Sequence, residues 1–383
     1  MRVAIVQEHI AVTRGGAETS TFEMARRLAE LGLDVSIVHR LAASDPPCDA
    51  LVHFLPVPVR AVTRAGQTYQ FVQGAQRLCR AQRFDIVHAV TPCLCANVYQ
   101  PRGGTYAETI ARSTAMCGPW LRAGKRIGRR FNIRQQFLRR VEETLLRKYA
   151  GRVFVAALSD YVRRQVLSLP GPQFPPERVR VVFNGVESDA LQVGSRPALR
   201  SELGLEPSRP VVLFVAHNFK LKGLRELLHA TAAGPSDWIV VVAGRGSSRP
   251  YERLARRLGI EHRVRFAGTS TPVAFWYAAA DVLAHPTWYD PCSRVVLEAL
   301  SFGLPVVTTR YNGAAEVMEP GRHGVVLDEP DDISGLAAGI ETCLQHAVRT
   351  VCQADAPRMT KRLSMARHAR ELKALYDDVL ACR

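Results

Sequence analysis

Within residues 281–313, the carboxylates Asp290 and Glu298 have a spacing that suits the chemistry of a charged ligand. Asp290 lies in the loop before a predicted helix from about Ser293 to Phe302, and Glu298 lies inside that helix. At about 1.5 Å per helical residue, the two carboxylates bracket roughly 10 Å. The first helical turn between them presents backbone N–H groups that suit a phosphate. A carboxylate on each side of an anion site is the arrangement that a nucleotide-sugar needs.

Two apolar strands must position this loop and helix. A short strand from Val282 to Ala284 precedes the loop, and Gly303 ends the helix before a second strand from Val306 to Thr309. This order predicts a βαβ unit whose loop lies at the carboxyl end of the first strand. Open α/β sheets bind their ligands at that end of the strands.

The same alternation of strand and helix runs through the whole chain. In the first half, a strand from Val3 to Val6 leads through a glycine loop into a helix from Thr19 to Leu31, and the second half restarts with a strand from Val211 to Val215. Such alternation predicts α/β domains with doubly wound parallel sheets. The length of 383 residues suits two domains, and the Asn184-Gly185 turn marks the predicted boundary.

A glycine loop in the first half is a candidate phosphate site. Gly15 and Gly16 follow the first strand, and Glu18 comes two residues later. Glycines at this place let the backbone approach a diphosphate closely, and the start of the helix adds its dipole. The spacing is not the Gly-x-Gly-x-x-Gly fingerprint of dinucleotide-binding enzymes.

Cations that follow strands in the second half are further candidates. The segment from Asn218 to Gly223 contains Lys220 and Lys222, and Arg245 follows another predicted strand, Ile239 to Ala243. Lysines supply charge to a phosphate but lack the bidentate fork of an arginine. In the first half, His88 and Arg102 lie at predicted strand ends and are candidates for contact with an acceptor.

The charge of the chain is strongly positive and unevenly placed. The net charge is +16, and residues 119–149 alone hold ten Lys or Arg against two acids, a net of +8. Large apolar residues are interleaved with these cations, which is the composition of a helix on anionic lipid. A basic segment facing a phosphorylated acceptor, or a solvated helix whose arginines cover the surface, would have the same composition, so these alternatives stay open.

Other sequence features bound the class of protein. No apolar run approaches the roughly 20 residues of a membrane span, and the N-terminal Met1-Arg2 followed by a short strand does not resemble a secretory signal. We therefore expect a cytoplasmic protein. The nine cysteines are odd in number and scattered, and Cys93 and Cys95 have no matching second pair for zinc. We interpret them as reduced thiols.

The segment around Asp290 and Glu298 resembles the motif of glycosyltransferase family 4, in which two acidic residues are separated by seven others. Its flanks, Ala-Ala-Ala-Asp-x-Leu-x-His-Pro before the motif and Gly-Leu-Pro-Val-x-Thr-Thr after it, resemble the lipopolysaccharide-core glucosyltransferases of that family. The family usually has Glu at the first position, so Asp290 departs from its pattern and leaves the identity of the sugar open.

The resemblance implies the GT-B fold, with two Rossmann-like domains facing a central cleft. Residues 1–184 would bind the acceptor, residues 185–361 would bind the nucleotide-sugar donor, and a C-terminal helix within residues 362–383 would return to the first domain. The Gly15-Gly16-x-Glu18 loop would lie over the donor phosphates, as the matching loop does in the family. Lys222 fits a family lysine that holds these phosphates, while Leu221 stands where some relatives carry an arginine.

The resemblance also implies an activity, which is retaining, metal-independent transfer of a hexose from UDP-glucose to a lipopolysaccharide-type or lipid-linked saccharide. Asp290 would hold the sugar and Glu298 the ribose, and with Lys222 they form the expected catalytic set. The leaving diphosphate would be held by lysines, by the Arg245 side chain and by backbone N–H groups; the expected donor-binding set is completed by Asn218, Lys220, Ser293, Arg294 and Val295. No cofactor is expected beyond the donor, and the cytoplasmic face of the inner membrane is the expected peripheral location.

Two other functions remain open at this stage. A nucleotide-sugar 2-epimerase of the same fold would use the same motifs. A basic protein that binds nucleic acid would explain the charge, but the sequence has neither a helix-turn-helix pattern nor aromatic residues placed for base stacking on a sheet. We therefore expect no nucleic-acid partner.

Overall fold

The computed structural model describes residues 1–10, 16–40, 49–117, 132–187, 195–235 and 237–382. The chain divides into two compact units. The N-terminal unit comprises Met1–Gly185 together with Met365–Arg383, and the C-terminal unit comprises Val186–Ser364.

A seven-stranded parallel sheet forms the centre of the N-terminal unit, with the order β3-β2-β1-β4-β5-β6-β7. Its strands are β1 Arg2–Val6, β2 Asp34–Arg40, β3 Val52–Val57, β4 Ile86–Ala89, β5 Val98–Tyr99, β6 Phe154–Ala157 and β7 Val179–Val181. In register, Val3 lies beside both Val35 of β2 and Ile86 of β4. The described helices are Gly16–Glu30, Arg64–Gln82, Tyr106–Ala115, Ile133–Lys148, Asp160–Leu167 and Met365–Ala381, with a short 3₁₀ helix at Pro176–Arg178.

Helices cover both faces of this sheet, so its strands are buried on both sides. One face packs against Met24 and Leu28 of the first helix and Leu372 of the last. The other face packs against Phe71 and Leu145. Burial on both faces explains why the strands are near-continuous apolar runs rather than alternating ones.

The C-terminal unit is built around a six-stranded parallel sheet with the order β10-β9-β8-β11-β12-β13. Its strands are β8 Val211–Val215, β9 Ile239–Ala243, β10 Val264–Gly268, β11 Val282–His285, β12 Val306–Thr309 and β13 Gly324–Leu327. Its helices are Arg196–Glu202, Leu224–Ala233, Arg249–Arg257, Val273–Ala279, Arg294–Ser301, Ile333–Leu344 and His346–Arg362, with 3₁₀ turns at Glu261–Arg263 and Gly313–Val317. The prediction of two doubly wound parallel sheets is confirmed.

The basic segment 119–149 lies only partly within the described residues, which begin again at residue 132. Its helix Ile133–Lys148 buries Leu138, Leu145 and Leu146 in the core of the N-terminal unit. Of the alternatives for this segment, membrane contact does not apply to these three apolar residues, because their own sheet covers them. Ile133 remains 70% exposed. Within the described residues, no helix is both long and apolar enough to cross a membrane.

The cysteines that the structure describes are free thiols. Most are buried, and the sulfur atoms of Cys93 and Cys95 lie 3.6 Å apart without a bond. The interpretation of these cysteines as reduced thiols is confirmed for this part of the chain; Cys48 lies outside it.

Candidate functional site

The order of the C-terminal sheet reverses at the pair β8 and β11. From β8 the chain proceeds outward through β9 and β10, whereas from β11 it proceeds to the other edge through β12 and β13. The connections after β8 and β11 therefore leave the sheet on opposite faces and open a crevice at the carboxyl ends of these strands. Residues 216–223 follow β8, and residues 286–293 follow β11. The two segments that the sequence marked for a donor meet at this place.

Backbone contacts bind these two loops together. The Trp288 N–H donates to the carbonyl of Leu221 at 2.9 Å, and the Thr287 hydroxyl donates to the same carbonyl at 3.2 Å. Gly223 has φ of 84°, and a Cβ built there would lie 2.1 Å from the carbonyl oxygen of Pro286. Only glycine accepts this conformation and this approach without strain. The two loops are held as one rigid platform.

An ion pair between Lys222 and Asp290 lies on this platform. The Lys222 ammonium donates to the Asp290 carboxylate at 2.5 Å and to the carbonyl of Tyr289 at 3.1 Å. The two side chains are 18% and 15% exposed. Burial would raise the pKa of Asp290, but the charge of Lys222 and the nearby His285 outweigh it and hold that pKa well below its usual range. Sequence analysis assigned separate roles to Lys222 and Asp290, and the structure pairs them.

His285 supports Asp290 from the end of β11, a role that the sequence analysis did not assign. It is fully buried, and its Nε2 lies 3.9 Å from the Asp290 carboxylate and 3.4 Å from the hydroxyl of Ser293. Burial lowers the pKa of His285, so the imidazole is neutral at pH 7. The signal that could have found it is a histidine as the last residue of a buried strand at the switch point.

The helix Arg294–Ser301 begins directly after Ser293. The N–H of Ser293, an expected donor-binding residue, already has a partner in the protein, because it donates to the side-chain oxygen of Asn312 at 3.2 Å. No side chain in the described part of the chain caps the helix itself. The first turn, at Arg294 and Val295, lies at the positive end of the helix dipole, which suits an anion.

Glu298 lies on the same helix and accepts hydrogen bonds from two side chains. The Tyr277 hydroxyl donates to one carboxylate oxygen at 2.9 Å, and the Arg294 guanidinium donates to the other at 3.2 Å. The Glu298 side chain is 21% exposed. Because an ionised carboxylate has about four lone-pair sites, it can accept further hydrogen bonds from ligand hydroxyls. Burial raises the pKa of Tyr277 well above its usual value, which keeps it a donor.

The remaining candidates of the C-terminal unit lie near the end of β8 and after β9. Asn218 accepts the N–H of Leu221 at 3.2 Å and so shapes the turn that carries the lysines. Lys220 and Arg245 are exposed, and within the described residues neither forms an ion pair. Beside Arg245, Gly244 has φ of 131°, and a Cβ there would lie 1.7 Å from a backbone carbonyl of the segment after β8.

In the N-terminal unit, the glycine loop is only partly described. Gly15 lies outside the described residues. Gly16 and Glu18 form the first turn of the helix Gly16–Glu30, which begins three residues before the predicted start at Thr19. Gly16 is exposed and Glu18 is half-buried. Their place at the start of a helix that follows β1 agrees with an anion site.

His88 and Arg102 are not placed to contact an acceptor. His88 is fully buried, its Nδ1 lies 2.5 Å from the hydroxyl of Tyr376, and burial lowers its pKa to about 3. Arg102 is 7% exposed, and its guanidinium donates to the hydroxyl of Ser20 at 2.6 Å and to the Gln100 side chain at 2.9 Å. Both residues hold the core together around the last helix, and a strand end alone did not distinguish this role from binding.

A polar cluster that the sequence analysis missed lies where the order of the N-terminal sheet reverses, between β1 and β4. Glu8 follows β1 and accepts from the hydroxyl of Thr68 at 2.7 Å and from Arg134 at 2.8 Å. The Glu8 N–H donates to Thr91, which follows β4, at 2.9 Å. The Arg134 side chain is 42% exposed. An acid directly after the first strand is the signal that could have indicated this site.

Comparison with known proteins identifies the class to which these two units belong. The model for Glycosyltransferase Family 4 matches residues 14–190, and the model for Glycosyl transferases group 1 matches residues 209–346. The D-inositol 3-phosphate glycosyltransferase 2 of Catenulispora acidiphila is 28% identical, over 91% of this chain and 91% of its own length. The lipopolysaccharide glucosyltransferase WaaG of Escherichia coli is 25% identical, over 82% of each chain.

Solved structures resemble the chain over nearly its whole length. The crystal structure of WaaG has a TM-score of 0.79 at 23% identity and covers 97% of this chain and 98% of that one. The structure of Anabaena HepE in complex with UDP-glucose has a TM-score of 0.74 at 19% identity and covers 99% of this chain and 100% of that one. The predicted fold class and the predicted family resemblance are confirmed.

Proposed function

Because this chain is a glycosyltransferase of the GT-B fold, we propose that it is a retaining hexosyltransferase of family 4. Its donor is UDP-glucose, and its acceptor is a saccharide of the lipopolysaccharide-type or lipid-linked kind. The observation that carries the proposal is the Lys222–Asp290 ion pair at the switch point of the C-terminal sheet. There a cation for a diphosphate and an anion for sugar hydroxyls stand side by side.

The choice of donor rests on this site and on a structural neighbour. The crystal structure of HepE holds UDP-glucose in a protein of the same fold. In this chain, Lys220, Lys222 and Arg245 supply positive charge for the diphosphate, together with the N–H groups of Arg294 and Val295. Glu298 binds the ribose hydroxyls.

The reaction replaces one bond at the anomeric carbon with another on the same face. The bond to the diphosphate oxygen breaks, the acceptor oxygen forms the new bond, and the acceptor proton leaves with the departing UDP. The main catalytic task is to stabilise the negative charge on that leaving group. Lys222 and the helix start perform it without a metal ion, while Asp290 holds the sugar hydroxyls. Because Lys222 already binds Asp290, the incoming donor has to exchange these contacts.

A second acceptor class has specific support. The first relative is named for D-inositol 3-phosphate, matches over 91% of both chains and is as similar in sequence as WaaG. A phosphorylated acceptor of this kind would need a cation in the N-terminal unit, and the half-exposed Arg134 beside Glu8 is placed to supply it. For the lipopolysaccharide-type acceptor, we propose peripheral binding at the cytoplasmic face of the inner membrane. The basic side chains of residues 119–149 would make this contact, and Leu138, Leu145 and Leu146 would not, because they are buried.

The test begins with the donor. Thermal unfolding is measured with UDP-, GDP- and ADP-sugars, since a ligand that binds the native state raises the midpoint. UDP-glucose is expected to give the largest shift, and the shift is expected to fall in Lys222→Ala but not in Arg253→Ala, which removes an exposed cation of the same unit. Equal shifts in both variants would contradict the assignment of the phosphate site.

Product analysis then separates the reactions. Incubation with UDP-glucose and a panel of acceptors, followed by NMR of the anomeric proton, is expected to show a product with the configuration of the donor. Inverted product would contradict the retaining mechanism, and epimerised donor in the absence of an acceptor would favour the 2-epimerase. Transfer that EDTA abolishes would contradict metal independence. Transfer to inositol phosphate but not to lipopolysaccharide core sugars would select the second acceptor class.

A further inference from the structure

Three arginines converge on one buried carboxylate at the amino end of the C-terminal sheet. Asp281 directly precedes β11, and it accepts the side chains of Arg196, Arg200 and Arg349 and the N–H of Val211, the first residue of β8. Asp281 is 3% exposed. We call this group of three arginines and Asp281 the arginine pocket. It lies at the opposite ends of the strands that carry Lys222 and Asp290, so the active site does not account for it.

The arginine pocket holds more positive charge than its carboxylate neutralises. Three guanidinium groups against one carboxylate leave a formal charge of +2. Arg200 is structural, because it is buried and also donates to the backbone carbonyls of Ala279 at 2.9 Å and Pro207 at 2.7 Å. Burial and the like charges of its two arginine neighbours lower the pKa of Arg200. A bound anion would relieve this repulsion.

The other two arginines retain hydrogen-bonding capacity. The side chains of Arg196 and Arg349 are 33% and 27% exposed. Each gives one terminal nitrogen to Asp281, and within the described residues the Nε of each has no hydrogen-bond partner. Buried donors without a partner are rare in native proteins, and a ligand that is absent from the structure is one explanation for them.

A cavity opens beside these two arginines. It has a volume of about 430 Å³, which lies within the usual range for small-molecule sites. Its wall is apolar where Pro197, Pro207, Pro210 and Leu344 line it, and Ser208 adds a hydroxyl. One side of the cavity therefore suits a compact anion and the other suits an uncharged ring or chain.

We propose that the arginine pocket binds the phosphate monoester of a small molecule, with the phosphate on Arg196 and Arg349 and the ester group against the prolines and Leu344. Planar guanidinium forks match the geometry of phosphate oxygens. A phosphate bound here would share Arg196 and Arg349 with Asp281. Asp281 would still have Arg200 as a partner that the phosphate does not contact. This site is a second ligand site, separate from the donor site and independent of the activity proposed above.

Calorimetric titration of the full chain with phenyl phosphate tests the proposal, with inorganic phosphate as a second probe and sodium chloride at matched ionic strength as the blank. The double variant Arg196→Gln, Arg349→Gln is expected to bind phenyl phosphate at least tenfold more weakly than wild type. The matched control Arg253→Gln, Arg256→Gln removes two exposed arginines from the helix Arg249–Arg257 and is expected to stay within twofold.

The variants also separate binding from folding and from the donor site. Each single variant leaves Asp281 with two guanidinium partners and is therefore expected to fold. If the double variant does not fold, the single variants serve instead, and each is expected to weaken phenyl phosphate binding at least threefold. Phosphate that binds only at the donor site would give equal affinity in wild type and in the Arg196 and Arg349 variants, which overturns the proposal. Equal weakening in the control variant, or inorganic phosphate binding as tightly as phenyl phosphate, would also overturn it.

Discussion

Replacing Lys222 with methionine removes the ammonium but keeps most of the side-chain volume, and it isolates the charge of the ion pair. Asp290 would lose a partner at 2.5 Å while its own side chain stays 15% exposed. Removing one partner of a fully buried ion pair costs about 3–5 kcal/mol of stability. Because this pair is partly exposed, we expect Lys222→Met to lower the free energy of unfolding by about 2 kcal/mol. Loss of one charge that stabilises the leaving group should lower kcat by about 10²–10³.

The same variant should change the pH dependence of the reaction. In wild type the pKa of Asp290 is held well below its usual range, so the carboxylate stays ionised throughout the working range. Without Lys222, burial becomes the dominant cause and raises that pKa. The activity of Lys222→Met is therefore expected to fall as the pH drops through the new, higher pKa, at pH values where wild type keeps its rate.

The assay is release of UDP from UDP-glucose, or from whichever sugar nucleotide gives the largest thermal shift, measured against pH for wild type and variant. Asp290→Asn in the Lys222→Met background removes the titrating group, so the new acidic limb should disappear. Arg253→Met is the control for loss of a cation. If the acidic limb of Lys222→Met coincides with that of wild type, Lys222 does not set the ionisation of Asp290 and the reasoning fails.

Three further predictions concern stability and the integrity of the site. Burial raises the pKa of Glu142 to about 7, so its contribution to the stability of the native state is present below about pH 4.5 and is lost as the pH rises through 7. Glu142→Gln should therefore remove a pH-dependent change of about 3 kcal/mol in the free energy of unfolding, which urea titration at several pH values measures. Gly223→Ala forces a Cβ against Pro286 and should cost about 1–3 kcal/mol of stability, seen as a lower urea midpoint, and most of the activity. Tyr376→Phe removes the bond to His88 and should cost about 1 kcal/mol without changing KM, measured by unfolding and steady-state kinetics.

Each of these expectations has an outcome that contradicts it. If the free energy of unfolding of Glu142→Gln depends on pH as it does in wild type, a group other than Glu142 causes that dependence. Full activity in Gly223→Ala would show that the two loops tolerate separation; Gly103→Ala, at an exposed turn where a Cβ meets nothing within 4 Å, is the control. A raised KM for donor or acceptor in Tyr376→Phe would indicate that His88 contributes to substrate binding.

Most of the strands and about half of the helices followed from sequence periodicity. Strands Val211–Val215, Ile239–Ala243 and Val306–Thr309 begin and end where the apolar runs predict, since a parallel strand buried on both faces needs an uninterrupted apolar run. The helix Arg64–Gln82 was missed because its apolar residues are diluted by glutamine and arginine. The apolar residues of helix Ile133–Lys148 were recognised, but the sequence left open what covers them, because periodicity shows that a face is buried and not what buries it.

The sequence by itself determined the fold class, the alternation of elements and the loops that carry Asp290, Lys222 and Glu298, because these depend on local pattern and on chain order. Only the tertiary structure decided which charges meet. Lys222 and Asp290 are 68 residues apart and pair because their strands are neighbours at the switch point of one sheet. His88 lies in the core for the same kind of reason, since a helix from the far end of the chain covers it. Contacts between residues so distant in sequence depend on strand order and packing, which local periodicity does not specify.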